Sequence, residues 1–517
     1  MKPDRGRRLR QLLALGLLAP LVSAFAGPLE PPRTGQDQTY ADGDDGARQQ
    51  GRAWPQPRFI NNGDGTISDR LTGLMWLRDA ACADNAGFAA GSRVRDWNRA
   101  LSFPGRLNEG SLAADRCAGY SGDYDDWRLP SVVELVSLVR NAPGDNNLDW
   151  LSVSGAAGFT GLGHIDQAVW SATTDALDNT QVWVVDLGTG GARVAPKVAP
   201  EAPRPIFSAV RKATTNKTRA SGQHVHFGPG DDGSVEPGRP WPEPRFVTTG
   251  QATVVDKLTG LVWPLDSRCA TAQPADWTTA LAAVEAINAN GACGTAPNGP
   301  WRLPNINELR SLVDYGQAQP ALPAEHPFQD VAADGAFWSS TAGALEPARR
   351  ARVLALERGA IQPAVAHDQP RLAWPVSGPI SFADISVDIV GAGTVTVGGR
   401  RELTATVTNS GSRDALLSVD DIALTGNNAF KVADNGCATP LAADGSCTVT
   451  LAFAPQRSGR HRGTLTITSN ALGQEQLPVE IGARAADPPG GDDGGGCFIT
   501  AVAYGSYLQP GIGILSS

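Results

Sequence analysis

The chain repeats itself, and that repeat limits its fold more than any other feature. Residues 52–82, RAWPQPRFINNGDGTISDRLTGLMWLRDAAC, align in constant register with residues 239–269, RPWPEPRFVTTGQATVVDKLTGLVWPLDSRC. Trp54 matches Trp241, Phe59 matches Phe246, Thr72-Gly73-Leu74 matches Thr259-Gly260-Leu261 and Cys82 matches Cys269. Upstream, GDDG at 43–46 matches GDDG at 230–233. Downstream the loops differ in length but the landmarks persist in order. Trp97 answers to Trp277, Trp127-Arg128-Leu129-Pro130 with Glu134 to Trp301-Arg302-Leu303-Pro304 with Glu308, and Trp170-Ser171 to Trp338-Ser339. Two copies of one domain therefore occupy residues 52–212 and 239–376, with 27–51 as linker and start of the first repeat and 213–238 as linker.

Each copy reads as a mixed α/β unit. FINNGDGTISDRLTGLMWL alternates apolar and polar residues around Asn/Gly turns, which predicts a hairpin. DWNRALSF and DWTTALAAVEAINA space apolar residues by three and four, as an amphipathic helix does. SVVELVSLVR, opened by Pro130 and Ser131, predicts a second short helix. AVWSATT and QVWVVDL read as strands.

Composition sets the address. The 517 residues carry a formal net charge of −9, which repels phosphate backbones and argues against a nucleic-acid partner. The basic stretch MKPDRGRRLR, the apolar run LLALGLLAPLV and Ala24-Phe25-Ala26 form the three parts of a secretory signal peptide over residues 1–26. Cys82 with Cys117, Cys269 with Cys293, and Cys437 with Cys447 each fall within one proposed domain, which suggests three disulfides in an oxidising compartment and leaves Cys497 alone. No CxxC spacing supports a zinc site instead.

The ordered series GDGTISDRLTGLMW, Trp-Ala-Leu helix, DWRLPSVVEL and WSATT resembles the bacterial family named after the C-terminal domain of the Legionella collagen-like adhesin. The resemblance covers both copies and implies a fold like that of C-type lectins and formylglycine-generating enzymes. It also implies an extracellular binding or attachment module, with glycans as the expected ligand class, and no conserved active site. Ligand would then lie in the loops Asn141–Ala168 and Tyr315–Ala336.

From residue 380 to 485 alternating strands follow turn signals about every ten residues, the pattern of an immunoglobulin-type β-sandwich. TVTNSG, LAFAPQRSG and GTLTITSN resemble the abnormal-spindle/hydin-like sandwich of choice-of-anchor proteins. A Gly/Asp/Pro linker at 486–496 leads to residues 497–517, which resemble the Cys-Phe-Ile box of exported bacterial proteins. That resemblance makes Cys497 a processing or anchoring candidate.

Catalytic motifs are missing: there is no HExxH, GxSxG or phosphate-cradling loop. His224 and His226 form an HVH pair without a counterpart in the first copy. Asp64, in an Asn/Gly turn, and the paired Asp44, Asp45, Asp231 and Asp232 of the two GDDG turns are the calcium candidates, although each set falls short of six oxygens. Trp127 and Trp301 read as core residues, and Glu134 and Glu308 as caps or cross-links of the WRLP turn. The expected molecule is an exported, disulfide-bonded surface protein, with two α+β lectin-like domains and an all-β sandwich. It binds an extracellular glycan or envelope protein without chemistry or an obligatory cofactor. The rivals are a structural or protein-partner envelope component, and a formylglycine-generating-type oxidase, which needs free active-site cysteines.

Overall fold

The computed structural model describes residues 27–488, apart from 86–96, 112–116, 118, 123, 143–145, 153–156, 163–167, 199–208, 213–215, 251 and 392. Residues 1–26, read as a signal peptide, the 497–517 tail with Cys497, and parts of the 141–168 loop lie outside the described residues.

The first copy runs α1 (Asp45–Arg48), β1 (Phe59–Asn61), β2 (Thr66–Asp69), β3 (Leu74–Leu77), α2 (Cys82–Asn85), α3 (Trp97–Asn108), α4 (Val132–Ser137), α5 (Asn147–Leu151), β4 (Val169–Thr174), β5 (Gln181–Val185), β6 (Ala192–Pro196) and β7 (Val210–Lys212). The second runs α6 (Asp232–Val235), β8 (Phe246–Thr249), β9 (Thr253–Asp256), β10 (Val262–Pro264), α7 (Trp277–Asn290), α8 (Ile306–Ser311), β11 (Ala336–Ala342), β12 (Arg350–Ala355) and β13 (Ala360–Ala366). Strand is the main regular structure, and the helices are short. The hairpin, the two helices and the two strands of each copy lie where the alternation and spacing of apolar residues place them.

Local chemistry sets the helix starts. Ser131 and Asn305 cap α4 and α8, and Glu134 and Glu308 return a bond to the cap, completing a capping box in both copies. Asp276 caps α7, which ends at Gly291 in the left-handed region. Trp97 and Trp277 open their helices fully buried, and each indole Nε1 donates to the serine carbonyl of the WS strand, Ser171 or Ser339, at 2.8 Å. These bonds satisfy the polar edge of a ring that is otherwise all core.

The copies share a core and a sheet. One apolar cluster includes Trp76, Leu135 and Trp183 of the first copy with Leu309, Tyr315 and Trp374 of the second. Trp183 meets Tyr315 edge-on at 5.0 Å between ring centroids. Strands join in the order β11-β12-β13-β6-β5-β4, and β13 meets β6 antiparallel through Ile361 and Ala192. Each copy also has a second cluster, around Trp97 and Trp127 in the first and around Trp277 and Trp301 in the second, where it takes in Phe382 and packs against Ala41 and Leu472. The two halves therefore fold as one body with a pseudo-twofold relation.

The third unit is a sandwich of two four-stranded sheets. β14 (Ile385–Val390), β15 (Thr394–Thr396), β16 (Arg401–Asn409), β17 (Val419–Gly426), β18 (Phe430–Asn435), β19 (Ser446–Phe453), β20 (Gly459–Ser469) and β21 (Gln476–Ala486) pair as β14-β16-β19-β18 and β15-β21-β20-β17. In β16 every second residue from Leu403 to Asn409 is buried, as a strand with one core face requires. The sandwich is fastened to the second copy through Lys257, whose Nζ lies 2.6 Å from Asp384 and 3.1 Å from Gln474. Disulfides join Cys82–Cys117, Cys269–Cys293 and Cys437–Cys447, one in each unit.

Candidate functional site

Residues 27–51, read from the sequence as linker and start of the first repeat, and 216–238, within the stretch 213–238 read as linker, are packed structure. Each segment first bonds the other copy, Leu29 N donating to Leu258 O at 2.6 Å and Lys217 N to Thr72 O at 2.7 Å, and then its own: Asn141 N donates to Thr34 O at 2.7 Å, and Tyr315 N to Ser221 O at 2.9 Å. Each then crosses back to the other copy. Gln36 Oε1 accepts from Ala342 N at 2.8 Å, and Asp45 accepts from the Thr341 hydroxyl at 2.8 Å as well as from Thr34 at 2.6 Å. In the mirror arrangement Gln223 exchanges two bonds with the Thr174 backbone, at 3.1 and 2.9 Å, and Asp232 accepts from the Thr173 hydroxyl. The GDDG turn thus belongs to a reciprocal exchange.

The motif's composition follows from that role. The first glycine, Gly43 or Gly230, takes φ of +80°. The first aspartate caps the short helix: Asp44 accepts from Ala47 N at 2.9 Å and Asp231 from Ser234 N at 2.9 Å. The second, Asp45 or Asp232, reaches into the other copy. The last glycine allows a backbone crossing, because a Cβ on Gly46 would lie 1.9 Å from Gln38 O and on Gly233 2.0 Å from Val225 O. Burial pushes both Asp45 and Asp232 up to about 7.

These bonds give the calcium candidates structural partners within the protein. Asp44, Asp45, Asp231 and Asp232 are at most 2% exposed, and each accepts from at least one N–H or O–H donor, while Asp232 Oδ1 has no hydrogen-bond partner. Asp64 accepts from the Thr66 amide and hydroxyl and from the Tyr124 hydroxyl. Among the described residues no three His, Cys, Asp or Glu side chains are grouped to hold a metal ion. His224 and His226 face Glu236 and Asp231 respectively, each from an exposed position.

The WRLP landmarks are architectural. Arg128 forms a two-pronged pair with Glu134 at 2.6 and 2.5 Å, and Arg302 one with Glu308 at 2.6 and 2.6 Å. A second pair of forks, Arg58–Asp69 and Arg245–Asp256, also reaches a helix-end carbonyl, Ser137 O or Ser311 O, at 2.6 Å. Trp127 and Trp301 are 3% and 1% exposed, so neither offers a face to ligand. Tyr315, at the start of an expected ligand loop, is buried against Trp183.

Among the described residues, two openings lie where the copies meet. A groove of about 470 Å³ lies between the first copy's GDDG turn and the second copy's α7, with Asp42, Arg48, Thr278 and Glu285 at its polar sides and Leu281 and Leu303 beneath. Arg48 and Glu285 pair across it at 2.8 Å, and Glu285 is exposed. A tighter cavity of about 80 Å³ sits where the two copies and both crossing segments meet. Sequence reasoning missed both, because each is walled by residues more than 200 positions apart. Among the described residues no helix is long and apolar enough to cross a membrane.

Residues 65–206 and 252–377 match the family model of the Lcl C-terminal domain. Residues 387–477 match that of the abnormal spindle-like microcephaly-associated (ASPM-SPD-2-Hydin) domain. No curated protein matches the chain. Among solved structures, the ASH/PapD-like domain of human CEP192 is 15% identical, with a TM-score of 0.15, covering 20% of this chain and 86% of that one. The SrpA adhesin of Streptococcus sanguinis is 13% identical, with a TM-score of 0.16, covering 20% of this chain and 57% of that one. Domains 4 and 5 of the S-layer protein SbsC are 14% identical, with a TM-score of 0.15, covering 26% of this chain and 64% of that one.

Proposed function

The chain belongs to the Lcl C-terminal domain family, and from that premise we propose that it is an exported surface protein that holds an extracellular glycan non-covalently, in attachment. In this reading the two C-type-lectin-like copies form the binding head and the abnormal-spindle/hydin-like sandwich carries it. The observation that carries the reading is the two-copy head itself. Two matched domains are joined by a shared core and a reciprocal exchange, which presents one rigid surface rather than two tethered ones. Rigid elements hold a binding constellation more closely than loops do.

Supporting features agree with it. The three disulfides suit an oxidising compartment, and they tie up six of the seven cysteines, whereas a formylglycine-generating-type oxidase requires free active-site thiols. The α7 groove pairs charged and hydroxyl groups with an aliphatic floor, a mixture suited to a sugar's hydroxyls and its apolar face.

A glycan array probed with the full secreted chain tests this, with Glu285→Ala and Thr278→Ala as groove variants. The reading expects selective binding that the variants weaken about tenfold. Absence of glycan binding, with capture of a defined envelope protein, would move the function to a protein partner.

A further inference from the structure

The cavity between the copies is cationic in a way that the fold does not explain. Six cationic side chains line it, Arg33, Arg52, Arg58, Lys217, Arg219 and Arg310, against one carboxylate, Glu30. Arg58 is accounted for by its fork on Asp69. The others are not. Arg219 is buried and donates to the carbonyls of Ala220, Val313 and Arg310, and Arg310 donates to the Asn307 amide oxygen at 3.1 Å. Arg52 donates to Leu71 O, while its buried Nε has no hydrogen-bond partner. Among the described residues, none of these three bonds to a carboxylate.

Burying a charge that no carboxylate pairs directly is costly, and here Glu30 and Asp69 act on Arg52, and Asp314 on Arg219, only through space. The cost registers on these groups: burial pulls Arg52 and Arg310 down, and Arg219 down to about 10. Burial also pushes Glu30 up, so the one carboxylate present is itself disfavoured as an anion.

The pseudo-twofold relation shows that Arg219 and Arg310 are additions to the fold, whereas Arg52 has its counterpart in Arg239. The WRLP landmarks put Val136 at the place of Arg310. The crossing segments put Pro32 at the place of Arg219, and the matched bridges Pro32–Arg52 and Arg219–Arg239 fix that register. The first copy folds with apolar residues where the second has arginines, so packing does not require them.

We propose that this cavity is an anion site that takes a small oxoanion (carboxylate, phosphate or sulfate), with Arg52, Arg219 and Arg310 as donors. Guanidinium forks match the planar or tetrahedral oxygens of such groups. A volume of about 80 Å³ admits a group of that size, not a polymer. Exposed Arg33 and Lys217 stand at the mouth, where they draw the anion in. The bound anion supplies the charge that the interface lacks, and so ties the two copies together. This site is separate from the α7 groove and does not rest on the glycan reading.

Isothermal titration of the full chain with sodium phosphate, sodium sulfate and sodium malonate, against chloride of equal ionic strength, tests it. At least one anion is expected to bind saturably with one equivalent per chain, and the one that binds best identifies the headgroup. Arg310→Val, which installs the first copy's residue, and Arg52→Gln are each expected to weaken binding at least tenfold. Glu30→Gln is expected to strengthen it. If an arginine variant fails to fold, as judged by circular dichroism, Lys217→Gln at the mouth replaces it, with about threefold weakening expected. No saturable heat with any of the three anions would overturn the proposal. Binding that the variants leave unchanged would do the same.

Discussion

Asp45 and Thr341 are 296 positions apart in the chain, yet the carboxylate accepts the threonine hydroxyl at 2.8 Å. The first copy's leading segment thereby closes the second copy's WS strand, and Asp232 with Thr173 closes the first in return. The bond stands on a further link, because Thr341 Oγ1 also receives the amide of Ile306 at the start of α8, as Thr173 receives that of Val132. One threonine in each copy therefore joins strand, helix and the visiting segment.

These contacts give the head a pH dependence. Burial raises Asp45 and Asp232 to about 7, from an unfolded value near 4. Facing Asp45 are Asp44, Glu308 and Arg352; facing Asp232 are Glu134 and Arg128. A raised carboxyl binds protons more tightly in the fold, so its contribution is full below about pH 4 and is lost as pH rises through about 7. Thermal unfolding between pH 5 and 8 is expected to show stability falling with pH, by at most about 1.4 kcal/mol per unit for each group. Asp45→Asn with Asp232→Asn is expected to flatten that slope. An unchanged slope in the double variant would remove these two groups as its cause.

The Arg302–Glu308 fork is buried and also closes a capping box. Glu308→Ala leaves the guanidinium buried and unpaired and takes one bond from the cap. It is expected to cost about 3–5 kcal/mol in urea unfolding. Replacing both partners by apolar residues of similar volume, Arg302→Met with Glu308→Leu, is expected to cost less than the single change. A double variant as unstable as the sum of its parts would contradict the pairing.

Six of the seven cysteines are bonded, so thiol titration of the denatured, unreduced chain is expected to find no more than one thiol per molecule. Reduction of Cys269–Cys293, which spans 24 residues, is expected to destabilise the second copy by about 3 kcal/mol. A count of two or more would favour the oxidase alternative.

The duplication, the helices and the pairing of cysteines were legible in the sequence because each is written in local spacing or in matched landmarks. Glu134 and Glu308 were legible as caps because Ser131 and Asn305 stand three residues before them. The GDDG turns were not legible. Self-comparison shows that Asp45 and Asp232 are equivalent, but equivalence is silent about which copy each one enters. Two adjacent aspartates flanked by glycines read alike as a linker turn, a calcium loop and a buried cross-link. The anion site was hidden for the same reason: Arg52 and Arg310 meet only because the copies cross.

The reciprocal exchange is the central claim, and amide hydrogen exchange of the full chain with Gln36→Ala tests it most directly. Gln36 precedes the first copy, yet its side chain accepts from Ala342 N in the second. Faster exchange is therefore expected in peptides covering β11, residues 336–342, with those covering β4, residues 169–174, unchanged. Gln223→Ala is expected to give the opposite pattern. Faster exchange in β4 with Gln36→Ala, and none in β11, would mean that each segment closes its own copy, and the exchange would be refuted.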